Sequence, residues 1–176
     1  LKRSFLIKFL LNNIPAEKIK NNLEPTGIEH GEKIKLSFSN NLTEEFDYLV
    51  VSDGVFSKTK SIILAKETGP KFFNSVALRG NIKNLENNDI SLYLGSNFHF
   101  VIYPVNQNKE FNFISIIRKK LSKNQTSDQN LFESNDFLKS LCNEIYQKTS
   151  MNLKDKIENI KSFPIYVSEK FENFSY

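Results

Sequence analysis

Residues 46–60 read FDYLVVSDGVFSKTK, and this stretch determines the expected fold. Residues 46–51 form a nearly continuous apolar run, which predicts a strand buried on both faces. Asp53-Gly54 ends that strand. A buried strand that leads through a glycine into a helix brings backbone and a helix N-terminus close to a ligand at the edge of a sheet. Asp-Gly is also common in ordinary turns, so the dipeptide allows a binding role and a purely structural one.

Apolar periodicity and turn residues predict the elements on either side of this stretch. The predicted helices are residues 3–14, which Pro15 ends, residues 60–64, with Ser57 as N-cap, and residues 135–149. The predicted strands are residues 34–38, 72–80, 89–95, 98–105 and 110–118, and a polar linker is predicted at 120–130. The last four strands are joined by turn-like segments, which predicts an antiparallel sheet. The fold class is therefore α/β.

Composition excludes several classes of protein. The chain has 176 residues, 39% of them hydrophobic and 25% charged, as is ordinary for a globular domain. One cysteine and two histidines argue against a disulfide framework and a Cys- or His-rich metal site. The net charge of +4 comes from 21 scattered lysines and three arginines, which indicates a solvated surface and no nucleic-acid-binding face. No apolar run approaches the roughly 20 residues of a transmembrane helix, and we expect a cytoplasmic protein.

The stretch at 46–60 resembles the Asp-Gly motif of the flavin-dependent aromatic hydroxylases of the p-hydroxybenzoate hydroxylase type. The matching residues are Asp47, Val50, Asp53, Gly54 and Ser57, with Lys60 where that family usually has Arg. Other family segments, in the same order, are similar to KRSFLIKFL (2–10), VALRG (76–80), LGSNFHFVIYPVNQNKEFNFISIIRK (94–119) and FPIY (163–166). The His-Tyr-Pro hairpin is most similar to that of salicylate and 3-hydroxybenzoate hydroxylases.

This resemblance implies a p-hydroxybenzoate hydroxylase-like fold that is truncated at both ends. It divides the chain into part of a Rossmann-like FAD-binding domain (1–65), an antiparallel substrate-domain sheet with helices (66–165) and the start of a return to the FAD domain (166–176). The glycine-rich and Gly-Asp flavin motifs of the family fall outside these residues. We therefore expect an internal segment of a longer protein, which alone holds FAD poorly and is inactive.

The resemblance also implies the ligands and the residues that contact them. FAD is the implied cofactor, and NAD(P)H is the implied co-substrate. The implied FAD contacts are Arg3, Asp53, Gly54, Ser57 and Lys60, and the implied substrate contacts are Arg79 and Pro104. Lysine at position 60 keeps the charge of the usual arginine but loses its planar fork. Arg79 could equally pair with an acidic neighbour.

His99 and Tyr103 are the candidate catalytic residues. They lie four positions apart in a predicted strand, so the two-residue period places both on one face of the sheet. A histidine and a phenol on one face could orient and deprotonate a phenolic substrate. The matching residues of the resembling hydroxylases line the substrate site. The alternative is that both side chains pack under neighbouring strands with satisfied hydrogen bonds.

The expected function is therefore that of a monooxygenase that hydroxylates a small aromatic or phenolic compound with FAD, NAD(P)H and O2. Two other functions stay open. One is a ubiquinone-pathway ring hydroxylase of the same fold, and the other is a non-catalytic remnant or binding module without flavin. His30 is expected in a solvated loop, and Cys142 is expected to be a small buried or half-buried residue.

Overall fold

The computed structural model describes residues 3–83, 85, 89–105, 110–151 and 156–168. The chain divides into two units. The first unit consists of Leu1–Ile7 and Phe72–Ile165, and the second consists of Lys8–Lys71 and Tyr166–Tyr176. Each unit has its own β-sheet.

The helices and strands have the following bounds. The helices are α1 Arg3–Leu11, α2 Lys58–Ile63, α3 Lys123–Ser127, α4 Gln129–Glu133 and α5 Asn135–Thr149, with a single 3-10 turn at Ala16–Lys18. The strands are β1 Pro25–His30, β2 Ile34–Phe38, β3 Thr43–Phe46, β4 Lys71–Ile82, β5 Ser91–Gly95, β6 Phe98–Val105, β7 Glu110–Arg118 and β8 Ile157–Val167. No helix in the described ranges is long and apolar enough to cross a membrane.

The first unit is built on a five-stranded sheet in the order β5-β6-β7-β4-β8. The prediction that residues 72–118 form one antiparallel sheet is confirmed, because β5, β6, β7 and β4 all pair antiparallel. Sequence adjacency misleads at one point: β4 pairs with β7 rather than with β5. Strand β8 adds a further strand beside β4, and the sequence analysis did not predict it.

One face of this sheet forms the core of the unit. Its buried side chains alternate along the strands and pack against apolar residues of α4 and α5. The core residues are Val76, Leu78, Ile82, Phe100, Ile102, Phe111, Phe113, Ile117, Phe132, Leu141 and Ile145. Helix α5 confirms the predicted helix at 135–149, with Leu141 and Ile145 fully buried. Cys142 is half-buried beside them, as predicted, and burial raises the pKa of its thiol.

The predicted polar linker at 120–130 is wrong, because it contains α3 and the start of α4. Two local caps explain these short helices. Ser122 forms a capping box with Gln125, in which each side chain bonds the other residue's backbone N–H. The Asp128 carboxylate accepts from the backbone N–H of Asn130 and so begins α4. Polar composition alone conceals such helices, since capping residues are the same residue types that favour loops.

The second unit contains a three-stranded antiparallel sheet, β1-β2-β3. Strand β2 confirms the prediction at 34–38. Strand β1 was not predicted, and His30 is its last, exposed residue, not a loop residue. Helix α1 ends at Leu11, three residues before its predicted end.

The buried strand predicted at 46–51 is wrong. Strand β3 ends at Phe46, and Tyr48 and Val50 are 89% and 86% exposed. Residues 47–51 form no ladder with another strand in the described part of the chain. Without a neighbouring strand, the backbone lacks hydrogen-bond partners and the apolar side chains lack a surface against which to pack.

Candidate functional site

A cavity of about 350 Å³ lies on the first unit's sheet. Its side chains come mainly from positions that alternate with the buried core residues, on the face opposite to the helices. The lining residues are Arg79, Gly80, Asn81, Tyr103, Asn112, Phe113, Ile114, Asn159 and Lys161. Strands β4, β6, β7 and β8 therefore all contribute, so the cavity depends on the register of four of the five strands.

Three asparagine side chains cross the sheet as a hydrogen-bonded row, called here the amide row. Asn81 pairs in register with Asn112, and its Nδ2 donates to Asn112 Oδ1 at 2.8 Å. Asn159 Nδ2 donates to Asn81 Oδ1 at 3.3 Å. All donation in the row runs toward Asn112, whose register partner on the next strand is Tyr103. Asn112 and Tyr103 are thus neighbours across β7 and β6, and both line the cavity.

Asn159 has a left-handed backbone conformation, with φ 52°. Asparagine tolerates this region better than most residues, and within a strand it changes the direction of the local backbone. Such irregularities in strands occur preferentially beside functional sites. Here the irregularity coincides with the residue that begins the amide row.

Two positively charged side chains, those of Arg79 and Lys161, also line the cavity. Each lies two residues along its strand from a member of the amide row. Arg79 pairs in register with Ile114, two residues before Asn81 on β4, and Lys161 is two residues after Asn159 on β8. The Arg79 guanidinium carbon lies 5.1 Å from the ring centroid of Phe163, a cation–π contact. No acidic side chain is among the residues that line the cavity. Among the described residues, Arg79 makes no ion pair with an acidic neighbour, which leaves a substrate contact as its proposed role.

The structure separates the four residues predicted to handle substrate. Tyr103 and Arg79 line the cavity. His99 is on the same face as Tyr103 but about 13 Å away along the strand, opposite Leu94 and Ile116. It is exposed and is not among the cavity-lining residues.

Pro104 does not line the cavity, because it lies on the other face of the sheet. It pairs with Phe111 and shares the parity of the buried Phe100 and Ile102, which places it on the core side of β6. The pairing of β5 with β6 ends at Ile102, so a proline without an N–H is tolerated at this end of the strand.

The Asp-Gly turn and helix α2 form a compact local structure in the second unit. The Ser57 hydroxyl caps α2, accepting from the backbone N–H of Lys60 at 3.0 Å, which confirms the predicted N-cap. Asp53 in turn accepts from the hydroxyl groups of Ser57 and Thr59. Gly54 adopts φ 84°, a conformation that favours glycine. These contacts bring four of the five predicted FAD residues, namely Asp53, Gly54, Ser57 and Lys60, into one turn.

The pKa of Asp53 reflects this turn. Partial burial tends to raise the pKa, but hydrogen bonds from Ser57, from Thr59 and from backbone N–H groups outweigh it. The net pKa lies below the ordinary value of 3.8. The carboxylate is therefore stabilised as an anion by its own chain.

We expect Asp53→Asn to lower the melting temperature at neutral pH and to have no effect in strong acid. The folded-state pKa of Asp53 is below the unfolded value, so its contribution to stability is present above about pH 3.8 and is lost as the pH falls through the lowered pKa. Thermal denaturation of both proteins across this range measures the difference. Asp47→Asn is the matched control, since Asp47 is exposed and makes only a long ion pair with Lys33. A pH-independent difference would contradict the assignment.

The predicted FAD residues fit the cofactor in part. An added Cβ at Gly54 would meet no heavy atom within 4 Å, so the turn is open to a ligand. Asp53 is exposed, and a carboxylate accepts up to about four hydrogen bonds, so it could also accept from a ligand hydroxyl. Ser57 is buried, and its hydroxyl is already used by Asp53 and Lys60. Lys60 is half-buried with partners of its own. Arg3 is the exposed first residue of α1.

Sequence reasoning missed the other polar side chains of the cavity, which are Asn81, Asn112, Asn159 and Lys161. One signal was available, because Asn112 is a polar residue between two phenylalanines of an apolar strand. Alternation predicts that it faces away from the core. The rest of the amide row could not be found without the strand register, since Asn81, which donates to Asn112, lies on β4 and Asn159, which donates to Asn81, lies on β8.

The fold is similar to about half of several solved flavoprotein hydroxylases. A salicylate hydroxylase in a substrate complex matches with a TM-score of 0.73 and 16% identity, over 99% of this chain and 48% of that chain. HpxO of Klebsiella pneumoniae, in complex with FAD and uric acid, matches with a TM-score of 0.64 and 13% identity, over 97% and 44%. The 2,6-dihydroxypyridine-3-hydroxylase from Arthrobacter nicotinovorans matches with a TM-score of 0.56 and 13% identity, over 88% and 47%.

At these identities the likeness shows the fold alone. No protein-family model matches the chain, and no curated protein matches it in sequence. The chain has a mixed α/β fold with two antiparallel sheets, of the kind found in FAD-dependent hydroxylases, and it spans just under half of the length of the solved structures named above.

Proposed function

We propose that this chain supplies the substrate-binding sheet, and part of the flavin-binding region, of a FAD-dependent monooxygenase that acts on a small aromatic or phenolic compound. The observation that carries the proposal is the polar cavity beside Tyr103, on a sheet whose fold is shared with flavoprotein hydroxylases. Residues 66–165 are the proposed substrate domain, and residues 1–65 are part of the proposed FAD-binding domain. The proposed setting is the cytoplasm.

The size and chemistry of the cavity support a single-ring ligand. Its volume of about 350 Å³ is at the small end of the range of ligand pockets, roughly 300–1,000 Å³. Ile114 offers an apolar contact, and Tyr103 and Asn112 offer hydrogen bonds. The solved neighbours include a hydroxylase bound to its substrate and an enzyme bound to uric acid, which are consistent with a small ring.

The proposed reaction replaces a ring C–H bond with a C–OH bond. One atom of O2 enters the ring, the other leaves as water, and NAD(P)H supplies two electrons and becomes NAD(P)+. FAD, when bound, would supply the route of those electrons to O2. In this proposal Asp53 accepts hydrogen bonds from hydroxyl groups of the flavin or the pyridine nucleotide, and Arg3 and Lys60 supply positive charge.

Within the cavity, Tyr103 would hold the polar substituent of the ring and fix which carbon is presented for reaction. Asn112 Nδ2 would donate to the same substituent, oriented by the rest of the amide row. His99 lies about 13 Å from Tyr103 along β6 and is not among the cavity-lining residues. Its proposed role therefore requires a ligand that extends beyond the cavity, whereas the proposed role of Tyr103 does not.

The test is to purify the native protein that carries this chain, with whatever sequence flanks it in its reading frame. Yellow flavin absorbance, together with NAD(P)H oxidation that is stimulated by a small phenol and yields hydroxylated product, would support the proposal. A colourless protein that binds small aromatic compounds would contradict it and identify a binding module without flavin. Activity only on prenylated rings would identify the ubiquinone-pathway alternative.

A further inference from the structure

Strand β5 forms one edge of the five-stranded sheet, and its most apolar side chains lie on its exposed face. Ile90, which directly precedes the strand, and Leu92 and Leu94 within it are 69%, 56% and 73% exposed. Ser91 and Tyr93, which alternate with them, are half-buried. A strand with one solvated face normally turns its polar residues outward. The exposed face of β5 therefore has the composition of a covered surface.

The backbone of the same residues is open along the edge of the sheet. Gly95 and Phe98 face each other across the two-residue turn between β5 and β6, so they form a hydrogen-bonded pair, and such pairs recur at every second position along the ladder. The N–H and C=O groups of Leu92 and Leu94 fall between these pairs and point away from β6. In the described part of the chain, no strand pairs with β5 on that side.

The other edge strands of the two sheets carry the features that normally prevent pairing with another chain, namely charged residues and proline. Strand β8 contains Glu158, Lys161 and Pro164, β3 contains Glu44 and Glu45, and β1 contains Pro25 and Glu29. Strand β5 contains no charged residue and no proline, and its pairing with β6 has no bulge. Among the described edge strands, β5 is thus the one that is unprotected.

The sequence around Leu92 is symmetrical in polarity, because Ile90 and Leu94 lie two residues to either side of it. In antiparallel pairing about a two-fold axis at Leu92, this residue faces its own counterpart and Ile90 faces Leu94 of the second copy. The outward N–H and C=O groups then find partners, and the apolar side chains meet on one face of the joined sheet. In either neighbouring two-fold register, one of the three would face a polar residue.

The distribution of charge also favours a second copy of this chain. The nearest charged residue in sequence is Asp89, which in this register faces Gly95 of the second copy. The two Asp89 residues are then about 20 Å apart along the strands, well beyond the screening length of roughly 8 Å at physiological ionic strength. Repulsion between like charges therefore does not oppose the pairing.

We infer that the native protein forms a two-fold symmetric dimer through β5, in which the five-stranded sheets of two copies join edge to edge. The hydrogen bonds of the two β5 backbones and the contacts of Ile90, Leu92 and Leu94 form the interface. The inference is independent of the proposed function, since a flavoprotein hydroxylase and a binding module without flavin would have the same edge strand.

Cysteine crosslinking of the native protein that carries this chain tests the register directly. Facing residues of a hydrogen-bonded antiparallel pair have Cα atoms about 5.5 Å apart, within the range of roughly 4.4–6.8 Å that a disulfide spans. Leu92→Cys should therefore form a covalent dimer on mild oxidation with copper phenanthroline. The parent protein, which retains Cys142, gives the background. Leu94→Cys is the matched control, because it is the more exposed position but its two copies would lie about 14 Å apart.

Leu92→Lys tests the strength of the interface. It places two ammonium groups at facing positions, where like charges destabilise a strand pair, and it removes the central apolar contact. We expect the dissociation constant of the dimer, measured by sedimentation equilibrium, to rise at least roughly tenfold. Tyr146→Lys is the matched control, because Tyr146 is exposed to a similar extent on α5 of the same unit, and it should leave the constant unchanged. Circular dichroism establishes that each variant is folded.

A folded native protein that is monomeric at every concentration measured would overturn the inference. A dimer that Leu92→Lys leaves intact would also overturn it, since another surface would then hold the two copies together. Equal crosslinking of Leu92→Cys and Leu94→Cys would contradict the two-fold register. A monomer in which Leu92→Cys is protected from thiol reagents would show that another segment of the same protein covers β5, and the dimer would be refuted.

Discussion

Gly80→Ala is expected to unfold the five-stranded sheet at temperatures where the parent protein is stable. A Cβ atom at position 80 would lie 2.8 Å from the carbonyl oxygen of Glu158 and 2.8 Å from the ring of Phe113. Neither neighbour can move freely, since one is backbone of β8 and the other is a core ring that is 1% exposed. Overpacking of this kind costs about 1–3 kcal/mol and occasionally more, which is a large part of the roughly 5–15 kcal/mol of a typical domain.

Gly69→Ala is the matched control for this prediction. An added Cβ at Gly69 meets no heavy atom within 4 Å, and its φ is not in the left-handed region. Removing backbone freedom from the unfolded chain should therefore leave the protein unchanged or stabilise it by about 0.4–1 kcal/mol. Thermal unfolding followed by circular dichroism compares the two variants. Similar melting temperatures for both would contradict the close approach of β8 to β4.

Gly80 also connects the packing of the sheet to the candidate site. The missing side chain allows the backbone at Glu158 to approach β4, and the next residue, Asn159, reaches Asn81 at 3.3 Å. An outward shift of β8 would therefore lengthen the Asn159–Asn81 hydrogen bond of the amide row. A folded but loosened Gly80→Ala protein should accordingly lose ligand affinity.

Local sequence signals predicted the elements that depend on local interactions. The alternation in β2, β6 and β7 is visible because each buries one face, and the N-cap at Ser57 needs only the backbone N–H of Lys60, three residues away. The periodicity of α5 is visible for the same reason, since one side of the helix packs on the sheet. These patterns record burial directly.

Long-range pairing could not be predicted in this way. Asn81 and Asn112 are 31 residues apart, and Asn159 is 78 residues from Asn81, so the amide row exists only once β4, β7 and β8 are in register. At 46–51 the local composition predicted a strand that the structure does not contain. The apolar run is typical of a buried strand, but a strand also needs a neighbour, which the described residues do not provide.

Tyr103→Phe in the native enzyme is expected to retain bound FAD and to slow hydroxylation by about 10²–10⁴-fold, the usual contribution of a group that handles a proton or orients the reacting ring. The change removes one hydroxyl group from a residue that lines the cavity and leaves the ring in place. Less product should form per NAD(P)H consumed, because a substrate ring that is poorly oriented reacts less often. NAD(P)H oxidation would then be uncoupled from hydroxylation and would release hydrogen peroxide.

Tyr146→Phe is the matched control, since Tyr146 is 52% exposed on α5 and lies outside the cavity; it should change neither rate nor product yield.

His99→Ala should have the smaller effect of the two site variants, because His99 lies about 13 Å from Tyr103 along the strand. If one substrate touches both residues, the combined loss in the double variant should be less than the sum of the single losses, as for groups that act as a unit. Product per NAD(P)H, normalised to bound flavin, is the measurement. A normal rate and a normal yield in Tyr103→Phe would show that the tyrosine only packs, and the catalytic role proposed for this face of the sheet would be lost with it.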